Sequence, residues 1–328
     1  MSTLGRLRRS ALAVAAGTAL TVTASGCVVV HGEREVLPAA KETEAARALK
    51  DFTTAYNKAD KAYDSSLDED RVTGPLAAID GAKLKAGHAN NPDGNPGHQP
   101  LKLTDAEFVI PKKAGWPRWF VADTKANKGS ADSRWLFVFT RGSADDVWQV
   151  SYLTVLAADD VPEFVKDADG YAEPVTADAK ELAIRPEELG ESYATYLKDG
   201  GDTFADGTHT SAWRALRKKN ANRPGLARQY VDEPLTSGDY APVGLRTKDG
   251  GALVFFATHH YEKQTAAQGV DINVTDENIK ALLKGDAKQS LTLEFVSNQA
   301  VLDPARTASD PEVEFLSRVQ GLTGAKGE

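Results

Sequence analysis

Residues 134–142 read RWLFVFTRG and residues 252–260 read ALVFFATHH, and these two stretches decide how the chain is built. Both are runs of β-branched and aromatic residues ending in polar ones, the composition of a β-strand. Alternation in the first puts Trp135, Phe137 and Phe139 on one face. Similar runs flank it at LKLTDAEFVI (101–110), RWFVADTK (118–125) and WQVSYLTVL (148–156), separated by short turn clusters, and in the last Trp148, Val150 and Tyr152 are expected to share a face. Consecutive strands on short turns predict an antiparallel sheet. Upstream, Leu49, Phe52, Tyr56, Ala59 and Tyr63 recur at helical spacing, predicting a long amphipathic helix that buries its stripe on that sheet. A shorter helix over 75–85 and a loop, GHANNPDGNPGHQP (87–100), separate the long helix from the strands.

The order repeats around the second stretch. A helix over 186–197 carries Leu189, Tyr193 and Tyr196 and stops at Gly200-Gly201; a short one over 211–219 holds Trp213 and Leu216. Strands are expected at ARQYVDEPL (227–235), APVGLRT (241–247), ALVFFATHHY (252–261) and SLTLEFV (290–296), with Thr275 as N-cap of a helix reaching Lys284. The fold class is α+β: two tandem domains, 45–175 and 176–328, each a long N-terminal helix packed on a curved antiparallel sheet, behind residues 1–26 as signal peptide and 27–44 as tether.

The N-terminal expectation comes from residues 1–30. Arg6, Arg8 and Arg9 precede an uncharged run from Ala11 to Val30, diluted by Gly17, Thr18, Thr21, Thr23, Ser25 and Gly26. The run is long enough to cross a bilayer, but its strongly apolar part has the length of a signal-peptide core. Ala24-Ser25-Gly26-Cys27 resembles a bacterial lipobox, although Ala24 stands where that family typically has Leu. The resemblance implies cleavage between Gly26 and Cys27 and a diacylglycerol on the Cys27 thiol, whose two chains anchor firmly where one would be marginal. The arginines keep the N-terminus cytoplasmic, so the bulk of the chain is expected outside, on the cell membrane.

Composition excludes several chemistries. Removing residues 1–26, which hold three arginines and no acid, takes the formal net charge from −8 to −11, so nucleic acid is not an expected partner. Cys27 is the single cysteine; once it is acylated, disulfides, cysteine catalysis and Cys-based zinc sites are excluded. No phosphate-binding glycine loop, G-x-S-x-G or H-E-x-x-H occurs, so no catalytic residue and no cofactor are expected. His259 and His260 are adjacent on a strand and point to opposite faces, and His88 and His98 flank the glycine-rich loop around Asp93; no metal site is expected from either pair. DINVTDEN (271–278) begins like a calcium loop, but Asp276 stands where that loop needs Gly. Asp145-Asp146 and Asp159-Asp160 read as solvated turn acids.

Four of the five tryptophans, Trp116, Trp119, Trp135 and Trp148, fall within 116–148. Trp135 and Trp148 are expected in the core. Trp116 and Trp119, flanking Pro117, are expected at the rim as the candidate ligand pocket.

The element order resembles the cystatin-like or nuclear transport factor 2-like superfamily. With the lipobox, the chain is similar to actinobacterial cell-envelope lipoproteins of unknown function. The functional expectation is a membrane-tethered, non-enzymatic binding or interaction module, its partners the membrane through the lipid and envelope proteins or cell-wall polymer. The alternatives are a cell-wall-polymer hydrolase with dispersed acids and a small-molecule-binding lipoprotein.

Overall fold

The computed structural model describes residues 35–328. The signal peptide, the Gly26–Cys27 cleavage and the lipid on Cys27 lie outside the described residues. Among those described, no helix is long and apolar enough to cross a membrane.

The first half runs β1 (Leu37–Pro38), α1 (Glu42–Ala62), α2 (Gly74–Asn90), β2 (Leu103–Val109), β3 (Lys112–Lys113), β4 (Arg118–Ala126), β5 (Ser133–Arg141) and β6 (Gln149–Ala157). Strands β2, β4, β5 and β6 make one antiparallel meander, while β1 pairs with β3. The second half runs β7 (Pro174–Val175), α3 (Leu189–Asp199), α4 (Ser211–Asn220), β8 (Asn222–Arg223), β9 (Leu226–Leu235), β10 (Val243–Arg246), β11 (Ala252–Ala266), α5 (Glu277–Leu282), β12 (Leu283–Lys284), β13 (Ser290–Asp303) and β14 (Glu314–Gly327). Its sheet is ordered β12-β14-β13-β11-β10-β7. Strand β11 is long enough to take two partners on one edge, β10 against Ala252–Phe255 and β9 against Ala257–Ala266. The protein is mixed α+β, as expected.

Alternation sends two sets of side chains to opposite faces of the first sheet. Phe120, Phe137, Phe139, Trp148 and Val150 meet Leu49 and Phe52 of α1; the Phe52 ring lies 5.4 Å from that of Phe137. Trp119, Val121, Leu136 and Val138 face the other way and pack on Leu245, Leu253, Phe255 and Ala300 of the second sheet. The far face of that sheet, through Val254, Phe256 and Val301, meets Leu189, Tyr193 and Tyr196 of α3. The layers are therefore helix, sheet, sheet, helix. Helix α2 spans the two sheets and comes so close to β14 that a Cβ on Gly321 would lie 2.6 Å from Ile79 Cγ2.

Four local expectations change. Tyr152 does not share a face with Trp148 and Val150: Val138 pairs with Tyr152 but Phe139 with Val150, so Ser151 is an extra residue that inverts the alternation. Trp119 is 5% exposed, because the face it occupies is covered by the second sheet. Asp276, and not Thr275, caps α5, its carboxylate accepting from Asn278 N–H at 2.8 Å and Ile279 N–H at 3.1 Å. Residues 37–40, expected within the tether, belong to the packed body, with Ala39 and Ala40 buried against the α1 side of the first sheet.

Candidate functional site

Residues 207–231 contain six Lys or Arg side chains and no Asp or Glu, in a chain whose net charge is −8. This stretch includes α4 and the start of β9. Arg217, Lys218 and Lys219 fall in the last turn of α4, where the helix dipole favours cations. Two i,i+4 pairs follow from the helical repeat, Trp213 with Arg217 and Arg214 with Lys218. Thr210 fixes the start of the helix by donating from its hydroxyl to the Ala205 carbonyl at 2.7 Å.

Beneath α3 and α4, the same alternation that builds the apolar face of β11 brings polar residues to the sheet's centre. Thr258 and His260 continue the face of Val254 and Phe256; Ser297 and Gln299 lie opposite on β13, Asp232 opposite His260 on β9, and Arg318 opposite Gln299 on β14. These groups satisfy one another in part. Gln299 Nε2 donates to Thr258 Oγ1 at 2.8 Å and to Ser297 Oγ at 3.0 Å. The Arg217 guanidinium donates to both oxygens of Asp232, at 2.6 and 2.8 Å, a bidentate pair almost wholly out of solvent. Arg318 lies 4.0 Å over the Trp213 ring and donates to Tyr193 Oη at 3.4 Å, while Tyr193 donates to the His209 carbonyl at 2.6 Å. His260 stacks on Phe295 at 4.7 Å; burial, reinforced by Arg217 and Arg318, pushes its imidazole down to about 3, so it is neutral at physiological pH. Burial and Arg318 likewise lower His209.

A groove of about 940 Å³ opens between α3, α4 and β9, lined among others by Lys198, Arg214, Arg217, Lys218, Tyr230 and Asp232. Leu216 and Val231, two of the exposed large apolar side chains, lie on α4 and β9 beside it.

Residues 36–327 match the family described as a domain of unknown function, DUF8094. The chain belongs to the DUF8094 family. It is 71% identical over 325 residues to an uncharacterized lipoprotein of Streptomyces avermitilis, covering 99% of this chain and 97% of the relative. It is 63% identical over 323 residues to an uncharacterized lipoprotein of Streptomyces coelicolor, covering 98% and 97%. A second S. coelicolor lipoprotein is 28% identical over 348 residues, covering 97% and 94%. No solved structure matches.

The residues singled out by sequence are dispersed in the DUF8094 chain. Trp116 is 37% exposed, with the guanidinium groups of Arg118 and Arg141 at 4.9 and 5.3 Å from its ring. Trp119, buried between the sheets, does not join it in a ligand mouth. Trp148 is in the core, its Nε1 donating to Glu44 at 3.0 Å, and Trp135 is half-buried beside Phe137. His260 and His259 do face opposite ways. His98 bonds Asp60 at 2.7 Å and His88 is exposed. Asp159 and Asp160 line a cleft with Glu163, Asp249 and Glu314. No group of three or more His, Cys, Asp or Glu among the described residues is placed to hold a metal ion.

One acidic cluster was not legible. Asp68 and Asp80 are buried together at the α1–α2 connection, 1% and 4% exposed. Burial, then the neighbouring Asp80 charge, pushes Asp68 up to about 8, and burial raises Asp80 as well, so the pair holds a proton at neutral pH. The basic stretch around α4 had a readable signal, the absence of any acid over 25 residues. Arg318 had none, because only the strand register brings it opposite Gln299.

Proposed function

We propose that this chain is a lipid-tethered, extracytoplasmic lipoprotein acting as a non-enzymatic binding module, with the groove between α3, α4 and β9 as its binding site. The groove itself carries the reading: it is large, concave, and lined by held guanidinium and aromatic groups. Its one buried carboxylate, Asp232, has both oxygens committed to Arg217. The Asp68–Asp80 pair is too deeply buried to meet a polymer substrate.

The tether reading is supported by the small residues ahead of Cys27 and by the lipoprotein names of the relatives. The chain enters the fold at β1, against the first sheet, whereas the groove lies beyond the second. A chain anchored at Cys27 so presents the groove from the layer farthest from α1, away from the attachment. In the finer fold reading, each helix–helix–meander unit is one cystatin-like α+β domain of a tandem pair.

Two measurements test this. Mass spectrometry of the mature N-terminus should give a diacylglyceryl-modified Cys27; a free thiol or an intact Met1 would remove the tether. Filling the groove with Ala215→Trp should abolish co-sedimentation of the membrane-bound protein with purified cell-wall polymer. Equal co-sedimentation of both forms would move the site elsewhere, and release of soluble polymer fragments would make the protein a hydrolase.

A further inference from the structure

The charge around the groove is unbalanced in a way that the packing does not need. The lining brings Lys198, Arg214, Arg217 and Lys218 against Glu191, Asp199 and Asp232. Asp232 neutralises Arg217. Arg318 stands beside that pair and adds a further positive charge that forms no ion pair among the described residues. Arg214 also forms none: its guanidinium rests 5.3 Å from the Tyr196 ring, its Nε donates to the Leu197 carbonyl at 3.4 Å, and a Cβ on Gly200 would lie 2.7 Å from its Nη atoms. The positive φ of Gly200, 84°, and its missing side chain make room for that guanidinium. Aromatic rings therefore hold two guanidinium groups in place without neutralising them.

Two buried donors add a second, independent observation. Arg217 Nε and Trp213 Nε1 have no hydrogen-bond partner among the described residues, although Arg217 is 6% exposed. Buried donors in native proteins are nearly always paired, and one left open beside a groove is available to an acceptor that enters it. Both are donors on α4, within a stretch, 207–231, that holds no acid; Arg217 lines the groove, and beneath the helix Gln299 Oε1 is an open acceptor. What fits is an acceptor bearing negative charge. The planar guanidinium fork matches the oxygens of phosphate and carboxylate alike.

We infer that the groove recognises an anionic group, phosphate or carboxylate, on its ligand, with Arg214 and Lys218 contacting it and the Arg318–Trp213 stack holding the local field positive. This deepens the reading of the groove as the binding site and rests on it. In an otherwise acidic protein the patch selects by position: anions are repelled by the body and admitted at α4.

The test uses the full lipidated chain in phosphatidylcholine vesicles, titrated with inorganic phosphate, with soluble poly(glycerol phosphate) and with a neutral chitooligosaccharide. Anionic probes should bind, weaken as salt rises, and lose about a hundredfold in affinity in Arg214→Gln/Lys218→Gln, the loss of two charge-assisted contacts at about tenfold each. Lys218 is exposed at the groove's edge, so Lys218→Glu repeats the test should Arg214→Gln loosen α3. Replacing part of the phosphatidylcholine by phosphatidylglycerol separates the sources: competition with the soluble polymer makes a lipid headgroup the ligand, and its absence leaves a free or polymer-borne anion, the same chemistry either way. Binding of neither anionic probe, or binding indifferent to both variants, overturns the inference. Chitooligosaccharide binding that Ala215→Trp removes, without anion binding, would overturn it while leaving the groove as the site.

Discussion

Under α1 the first sheet presents Phe120, Phe137, Phe139, Trp148 and Val150; under α3 and α4 the second presents Thr258, His260, Ser297, Gln299 and Arg318 beyond an apolar end of Val254 and Phe256. The two faces arise in the same way, as alternate residues of an antiparallel meander preceded by two helices, yet one is a sealed aromatic floor and the other a polar basin. An aromatic floor is stabilised by area removed from water and by edge and stacking contacts such as the 4.8 Å stack of Phe120 on Phe139. A polar floor survives burial only where its groups bond one another. Thr258, Ser297 and the Gln299 Nε2 do so; Arg217 and Trp213 leave donors open, and Gln299 leaves its Oε1 open. One face is built to hold the protein together, and the other keeps chemistry available beside a groove.

The largest effects should separate the two floors. Phe137→Ala removes a ring from the sealed core and should cost about 3–5 kcal/mol. Arg217→Ala should cost a similar amount, roughly 3–5 kcal/mol, for a different reason: it strands the buried Asp232 carboxylate. Denaturant melts of Arg217→Met/Asp232→Leu distinguish the causes, because removing both charges should recover most of the loss. A double variant as unstable as the single one would mean that the basin, too, is held by packing alone.

The two halves of the chain should also differ in the sign of their pH dependence, through the Asp68–Asp80 pair in the first and His260 in the second. Asp68, raised to about 8 by burial and by Asp80, keeps in the folded state a proton that the unfolded chain releases. Its contribution is full below the ordinary carboxylate value of 3.8 and is lost as pH rises through about 8. His260, lowered to about 3, refuses a proton that the unfolded chain takes below 6.5, so its contribution is lost as pH falls from 6.5 towards 3. Asp80→Asn should flatten stability on the alkaline side of that range and His260→Gln on the acid side. Urea midpoints measured across pH decide this, and identical profiles for both variants would refute the assignment.

The smallest effect belongs to Trp116. Trp116→Ala should change stability by no more than about 0.5 kcal/mol, as exposed positions usually do, whereas Trp119→Ala and Trp148→Ala should each cost about 3–5 kcal/mol. Equal thermal shifts at the three positions would break the distinction between rim and intersheet core.

Much of the fold was legible. The spacing of Leu49, Phe52 and Tyr56 marked α1, and the strand composition of 118–125, 134–140, 148–156 and 252–261 placed β4, β5, β6 and β11. Strand β14 has little local signal because Gly321, Gly324 and Gly327 give it low strand propensity; it forms because β13 offers a paired edge along almost its whole length. Tyr152 changed faces through one extra residue, Ser151, which no local pattern announces. For the site, the tryptophans concentrate in the first half, while the groove lies beside a run of cations in the second.

By itself the sequence determined the order of elements, the alternation that assigns side chains to faces, and the concentration of positive charge around α4. All three depend on neighbours a few residues apart, through the helical and strand repeats. Tertiary structure alone decided which face meets what. It laid the second sheet over Trp119, Leu136 and Val138, so that a face which could have met solvent became core, and it carried Arg318 across about a hundred residues of chain to the Trp213 ring. The periodicity of a strand names two faces, but the free energy of burying each depends on the partner, and distant parts of the chain supply it.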